Sequence, residues 1–369
     1  MRKKYTFVDV FSGCGGLSYG LEQAGMKCLL GIDFNKDAIE SFKLNHKHAE
    51  TFCGDVGELT NKRLKELIGS NKIDFVVGGP PCQGFSTVGR GNSDDPRNYL
   101  FMEFVRIVKQ LNPRGILIEN VTGLLAQKNK LVLKQILSIF EKLGYELDAR
   151  VLSADEYGVP ERRRRTIIVG VKKGLSFSFP IPTHGERGKA KVMTVGDALK
   201  GISKTASYNE VSTAQIKNEL DRKRLSHIPE GCGIRYKRDE DAFLPKRLRY
   251  DVNWDKLAEG RFRQTKLQRL DRKSPSFTIL TSRTMYYHPT EDRYLTPREA
   301  ASLQSFPSNF EFYGSVTSVW RQIGNAVPCG LGKALGKSLI ESVEGKVKVK
   351  SEVKDFKKYA FHYNRQVAV

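Results

Sequence analysis

The sequence predicts an α/β fold: a doubly wound, mostly parallel sheet accompanied by a second, smaller and irregular domain. Three observations carry that prediction. Over the first 170 residues, short apolar segments alternate with amphipathic ones, the pattern of βα units that close a parallel sheet. From Pro180 to about Pro275 the periodicity dissolves into Gly, Ser, Pro and charged residues. Regularity then returns at Arg293.

The elements follow in order. Thr6 to Phe11 and Cys28 to Asp33 read as strands, with helical patterns from Leu17 to Ala24 and from Asp37 to Asn45 between and after them. Asp55, in Gly54-Asp-Val, is expected to end a third strand. Ile73 to Val77, Gly115 to Glu119 and Thr166 to Gly170 are further strands. A helix from about Asn129 to Leu143, stopped by Gly144, lies between the last two. Late in the chain Thr296 is placed to cap a helix and Pro297 to sit in its first turn. The end, from Lys346, is Lys-rich, and no internal repeat is found.

Composition bounds the function. A chain of 369 residues suggests two domains, and 39% hydrophobic with 10% aromatic residues excludes a mainly disordered protein. No run approaches the roughly 18 apolar residues that a membrane-spanning helix needs. The first five residues carry no signal-peptide apolar region, so a cytoplasmic location in a bacterium, or for a phage product, is expected. The six cysteines (14, 28, 53, 82, 232 and 329) form no C-x-x-C and no cluster with metal spacing, which predicts reduced thiols and no metal. The net charge of +21 fits either a soluble basic protein or one with a polyanionic partner. Residues 175 to 275 carry net +9, and Tyr236, Phe243, Tyr250, Trp254 and Phe262 are interleaved with the charges. That region is the better candidate for touching phosphates.

Chemistry gathers at strand ends, as open α/β sheets favour. Phe11-Ser-Gly13-Cys-Gly15-Gly follows the first strand; such glycines let a ligand approach the backbone, although they also make any tight turn. Asp33, 20 residues beyond Gly13, is placed to accept from ribose hydroxyls, and Asp55 to meet an adenine amine. Because the pyrophosphate fingerprint G-x-G-x-x-G is absent, S-adenosylmethionine is expected rather than NAD. Next comes Gly79-Pro80-Pro81-Cys82-Gln83. A lone Cys is usually an inert core residue, but Cys82 sits at a strand end, fixed by two prolines and followed by a polar loop to Arg97. Glu119 ends the neighbouring strand, so the pair suggests thiolate attack assisted by an acid. In Glu161-Arg-Arg-Arg-Arg165, strand alternation would place Arg163 and Arg165 on one face.

Together these residues resemble the DNA (cytosine-5)-methyltransferases of bacterial restriction-modification systems. Phe11-Ser-Gly-Cys-Gly-Gly looks like the family's cofactor motif, Gly79-Pro-Pro-Cys-Gln its catalytic motif and Glu119-Asn-Val its base-contacting motif. Arg163 and Arg165 fit Gln-x-Arg-x-Arg, with Glu161 standing where the family usually has Gln. Leu295-Thr-Pro-Arg-Glu-Ala and Gln322-Ile-Gly-Asn-Ala-Val-Pro328 resemble its last two blocks, in the family's order. The resemblance covers residues 5 to 170 and 285 to 335, and the middle matches in position the variable target-recognition domain.

The resemblance implies an S-adenosylmethionine-dependent enzyme acting on duplex DNA. Cys82 would add to C6 of a flipped-out cytosine, Glu119 bridge N3 and the amine, Arg163 assist the thiolate and Arg165 hold O2. Phe11 would stack near the adenine, Asp33 hold the ribose and Asp55 the adenine amine. Ser12, Gly13, Gly15 and Phe34 complete that side of the cofactor site, Pro80 and Leu100 line it, and Asn325 lies near the methionine end. Catalytic residues 1–178 would be completed by a return segment, 285–340, around a recognition domain at 179–284, leaving a basic tail at 341–369. A monomer is expected, with a cognate restriction endonuclease as a candidate partner. Two rivals remain: a tRNA cytosine-5 methyltransferase and a catalytically idle DNA-binding relative. Amino-group methyltransferases are excluded, since they place Asn/Asp-Pro-Pro-aromatic where this chain has Pro80-Pro81-Cys82.

Overall fold

A computed structural model describes residues 5–81, 99–126 and 129–347. The first half runs β1 (Thr6–Val10), α1 (Gly16–Gln23), β2 (Lys27–Asp33), α2 (Lys36–Asn45), β3 (Glu50–Cys53), α3 (Asn61–Ile68), β4 (Phe75–Gly78), α4 (Tyr99–Leu111), β5 (Gly115–Val121), α5 (Lys130–Lys142), β6 (Tyr145–Ser153), β7 (Glu161–Arg162) and β8 (Arg164–Lys172). Seven strands make one sheet in the order β3-β2-β1-β4-β5-β8-β6. β1 to β5 are parallel, while β8 runs antiparallel to both β5 and β6. The strands buried on both faces are nearly continuous apolar runs, such as Phe75-Val-Val and Ile116-Leu-Ile.

Two differences from the sequence reading have simple causes. β3 stops at Cys53, so Asp55 lies in the turn beyond it, where its Oδ1 accepts from the Gly57 amide at 2.8 Å. β6 was not anticipated because Glu146, Asp148 and Arg150 interrupt its apolar residues. It pairs only with β8, and an edge strand tolerates charge that a central strand would not.

The middle of the chain has short elements: α6 (Val195–Leu199), α7 (Glu219–Leu225), β9 (Ile234–Tyr236), α8 (Lys237–Phe243), β10 (Arg261–Lys266) and β11 (Ser276–Phe277). Its own small core gathers Leu225, Ile228, Ile234, Leu244, Trp254 and Leu267. Side-chain to backbone bonds replace regular ladders. Arg269, buried, donates to the carbonyls of Leu225, Ile228 and His288 at 3.0, 2.8 and 2.9 Å. Glu240 accepts from Trp254 Nε1 at 3.0 Å and from the Tyr250 amide.

The chain then returns through α9 (Pro297–Leu303), α10 (Val316–Asn325) and α11 (Cys329–Glu344). Thr296 and Glu299 form a capping box around Pro297. Leu331, Leu335 and Leu339 of α11 join Phe7, Leu21 and Val77 in one core, so this helix completes one face of the sheet. Contact is close because α1 presents Gly20: a Cβ there would lie 2.3 Å from the Cys329 carbonyl oxygen. Helix α11 continues to Glu344, beyond residue 341 where the tail was placed.

Candidate active site

The turn after β1 is built from left-handed residues. Phe11 has φ 66°, Gly13 55° and Gly15 93°, a conformation that only glycine adopts freely, so Phe11 is held there by its surroundings. Nothing lies within 4 Å of where a Cβ on Gly13 would point, whereas one on Gly15 would meet His46 Nε2 at 2.3 Å. Gly13 therefore opens the backbone toward a ligand and Gly15 packs it against the scaffold. His46 is buried there, its Nδ1 2.7 Å from Glu22, whose other oxygen meets His48 at 2.6 Å.

Asp33 closes the turn. Its Oδ2 accepts from the Gly13 amide at 2.8 Å and its Oδ1 from the Asn35 amide at 2.9 Å. Burial pushes its pKa up, and these amide bonds pull the other way. Asp9, behind it, is buried and accepts from Ser18 Oγ at 2.6 Å; burial raises it to about 7.

A cleft of about 890 Å³ joins this turn to the ends of β4 and β5. Of the residues singled out in the sequence, Phe11, Ser12, Gly13, Asp33, Phe34, Pro80, Glu119 and Asn325 all line it. Phe34 lines the cleft with 77% of its surface open. Gly15, Asp55 and Leu100 are not on the wall: Gly15 caps α1, Asp55 lies in the turn after β3, and Leu100 packs against the core under α4. Cys82 lies outside the described residues, but Pro80 and Pro81 before it line the same cleft.

Glu119 stands at the end of β5, with Oε1 2.8 Å from Arg165 Nε. Its Oε2 lies against Gly79, where an added Cβ would come within 3.2 Å. Burial raises its pKa, while Arg165 and then Arg163 lower it. Antiparallel pairing puts Arg165 opposite Val121, bringing the guanidinium to the acid from a strand 46 residues away. Asn120 Nδ2 donates to the Pro80 carbonyl at 2.9 Å, fixing the Pro-Pro turn to the Glu strand.

Arg163 is buried and Arg165 half-buried while Arg162 and Arg164 are exposed, and both Arg163 and Arg165 act on the Glu119 charge. The ladder is interrupted at Arg163, whose amide turns back onto the Glu161 carbonyl at 2.9 Å. Arg163 is 1% exposed and donates to the carbonyls of Ile279 at 3.0 Å and Gly324 at 2.7 Å. Glu161, fully buried, accepts from the Ile279 amide and lies 3.7 Å from Arg163 Nη1. The two side chains tie β7 to the segment after β11 and to α10.

The sequence reading missed one face of the site. Ser318, Arg321 and Gln322 of α10 line the cleft together with Asn325, a stripe at helical spacing that Asn325 alone could have signalled. Among the described residues no group of three His, Cys, Asp or Glu side chains is placed to hold a metal ion, and no helix is long and apolar enough to cross a membrane.

Residues 5–341 match the family model of C-5 cytosine-specific DNA methylases. The chain is 33% identical to type II methyltransferase M1.HphI of Haemophilus parahaemolyticus, over 91% of this chain and 87% of that one. It is 36% identical to type II methyltransferase M.NgoFVII of Neisseria gonorrhoeae, with the same two coverages. Among solved structures, an E. coli prophage protein described as a DNA modification methyltransferase superposes with a TM-score of 0.70 at 26% identity, covering 92% of this chain and all of that one. S. pombe Dnmt2 methyltransferase gives 0.60 at 19% identity over 92% and 99%, a likeness of fold alone.

Proposed function

From the membership of this chain in the C-5 cytosine-specific DNA methylase family, over residues 5–341, we infer that it methylates C5 of cytosine in a specific duplex DNA sequence, with S-adenosylmethionine as donor. The observation that carries this reading is the Glu119–Arg165 pair, 2.8 Å apart, standing beside the Pro80-Pro81 turn in the same cleft as the glycine loop. The acid and the backbone leading to the nucleophile line the same cleft as Asp33 and Phe34, and the arginine holds the acid.

The cleft fits the donor. Phe34 offers an open aromatic face, the Gly13 backbone is uncovered, and Asp33 keeps carboxylate lone pairs beyond its two amide bonds. Asp33 would hold the ribose, Phe11 and Phe34 the adenine and Asn325 the methionine end. When bound, S-adenosylmethionine supplies an electrophilic methyl group.

The chain supplies the rest. Cys82 as thiolate bonds to C6 of the cytosine, which loads electron density onto C5; loss of the C5 proton and elimination of the thiolate later restore the aromatic ring. Only the thiolate is nucleophilic, and an ordinary Cys is mostly protonated at neutral pH. Glu119 must hold a proton to bridge N3 and the exocyclic amine, and burial raises its pKa in that direction. Arg165 keeps this acid oriented and would take O2. Arg163 acts from behind, through the backbone of Ile279 and Gly324. None of this can occur within a stacked duplex, so the base is extruded at a cost of a few kcal/mol.

The type II relatives support a role in restriction-modification, protecting DNA from a cognate endonuclease that reads the same site. The test is incubation with methyl-labelled S-adenosylmethionine and either mixed-sequence duplex DNA or total tRNA. Label recovered as 5-methylcytosine in DNA, and lost in Cys82→Ser, is expected. Label in tRNA alone, or DNA binding without any label, would overturn the reading.

A further inference from the structure

The β9–β10 pair of the middle domain is not a regular ribbon. Arg261 pairs with Tyr236 and Lys266 with Ile234, so five residue steps on one strand face two on the other. The excess backbone must leave the ladder, and bulges of this kind re-aim side chains. The bulge is pinned at both shoulders. Phe262 packs on Trp254 and Tyr250, with ring centroids 4.7 and 5.4 Å away. Thr265 lies against Gly233, where an added Cβ would meet its Cγ2 at 2.6 Å. Between those pegs, Arg263 and Gln264 are both exposed.

Their mount sets them apart from Arg222 and Arg247, which are also exposed and in no ion pair with a described residue. Arg224, Arg249, Arg261, Arg269 and Arg272, in the same domain, are each in an ion pair, with Asp221, Asp241, Glu259, Asp292 and Glu230. Arg263 and Gln264 have no hydrogen bond or ion pair with any described residue. A pinned bulge thus presents two adjacent side chains whose planar forks match base edges: Arg the O6 and N7 of guanine, Gln the N6 and N7 of adenine. Surface lysines would serve phosphates equally well without such a mount.

We propose that the bulge of β10 is a base-reading element, with Arg263 and Gln264 contacting adjacent base pairs of the methylated site through the major groove. The proposal rests on the function inferred above and names residues that set its sequence specificity.

The test compares the wild-type chain with Arg263→Ala, Arg263→Lys and Gln264→Ala on unmethylated duplex DNA of random sequence, reading methylated sites by bisulfite sequencing. Wild type should return a single motif. Arg263→Ala and Arg263→Lys should both relax a guanine preference at one position by about tenfold or more, since Lys keeps the charge and loses the fork. Gln264→Ala should relax the adjacent position. All four chains should melt alike, because both side chains are exposed and unpartnered. An unchanged motif in every variant overturns the proposal. So does a uniform fall in rate at all sites that Arg263→Lys restores, the signature of a phosphate contact. A wild-type chain that methylates no DNA overturns the function reading itself, and this proposal with it.

Discussion

Replacing Glu161 by Gln should stabilise the protein at alkaline pH and leave it nearly unchanged in acid. Glu161 is fully buried, one oxygen bound to the Ile279 amide and the other, Oε2, without a partner. Burial raises its pKa from 4.5 to about 7, against the opposing pull of Arg163. A folded pKa above the unfolded one means that stability is fully present below pH 4.5 and is lost as pH rises through about 7. The shift corresponds to about 3 kcal/mol when the group is fully ionised, at about 1.36 kcal/mol per unit. Gln keeps the oxygen that accepts from Ile279 and carries no charge, although its NH2 inherits the unpartnered place of Oε2. Unfolding free energies from urea titrations of both proteins between pH 5 and 8.5 should therefore diverge by about 3 kcal/mol at the top of the range and converge toward the bottom. A difference that stays constant with pH, or a Gln variant less stable at pH 8 than the wild type, would refute the argument.

Four further outcomes are expected. Phe34→Ala should leave the urea midpoint within about 0.5 kcal/mol, because the ring is already exposed, yet weaken S-adenosylmethionine binding by about 1–3 kcal/mol in calorimetry, the usual worth of an aromatic stack on a base. Asp33→Ala, which removes an acceptor and frees the Gly13 and Asn35 amides, should raise the KM for the donor about 10- to 100-fold, in line with a charged hydrogen bond. Arg163→Met should cost about 3–5 kcal/mol in denaturation, since it strands a buried carboxylate and two carbonyls. Gly20→Val should cost at least about 3 kcal/mol, because its Cβ meets the rigid backbone of α11 at Cys329 and Lys333 rather than a side chain that can move.

What the sequence discloses here is set by range. The glycine turn, the Pro-Pro turn and the end of β5 are contiguous, and their chemistry is local: φ values, strand ends and a capping box are properties of neighbours. Hence Phe11, Gly13, Asp33, Pro80 and Glu119 could be named and expected together, and the cleft does bring them together. What stays hidden is the identity of remote partners. Arg163 reaches Ile279 and Gly324, 116 and 161 positions on; nothing in Arg-Arg-Arg-Arg names those two carbonyls. Position in the sheet is equally nonlocal, so β6 could hide charged residues at an edge that sequence alone does not reveal.

The same distinction explains how the site is held. Pocket residues on α10 arrive only after the chain has passed through its irregular middle region, and three long-range ties anchor that return: Arg163 to Gly324, Cys14 Sγ to the Gln322 carbonyl at 3.9 Å, and Ser41 Oγ to Gln322 Oε1 at 2.6 Å. Two of the three converge on Gln322, whose neighbours Arg321 and Asn325 face the cleft. Through Glu161 and Ile279, the arginine tie also joins the segment leaving the middle domain. A shift of that segment on DNA would therefore be felt at the methionine end of the cleft by way of Arg163. On that basis Arg163→Lys, which cannot reach both carbonyls with a planar fork, should weaken donor binding more in the presence of duplex DNA than in its absence. Equal weakening in both conditions would mean that the arginine is only a structural pin.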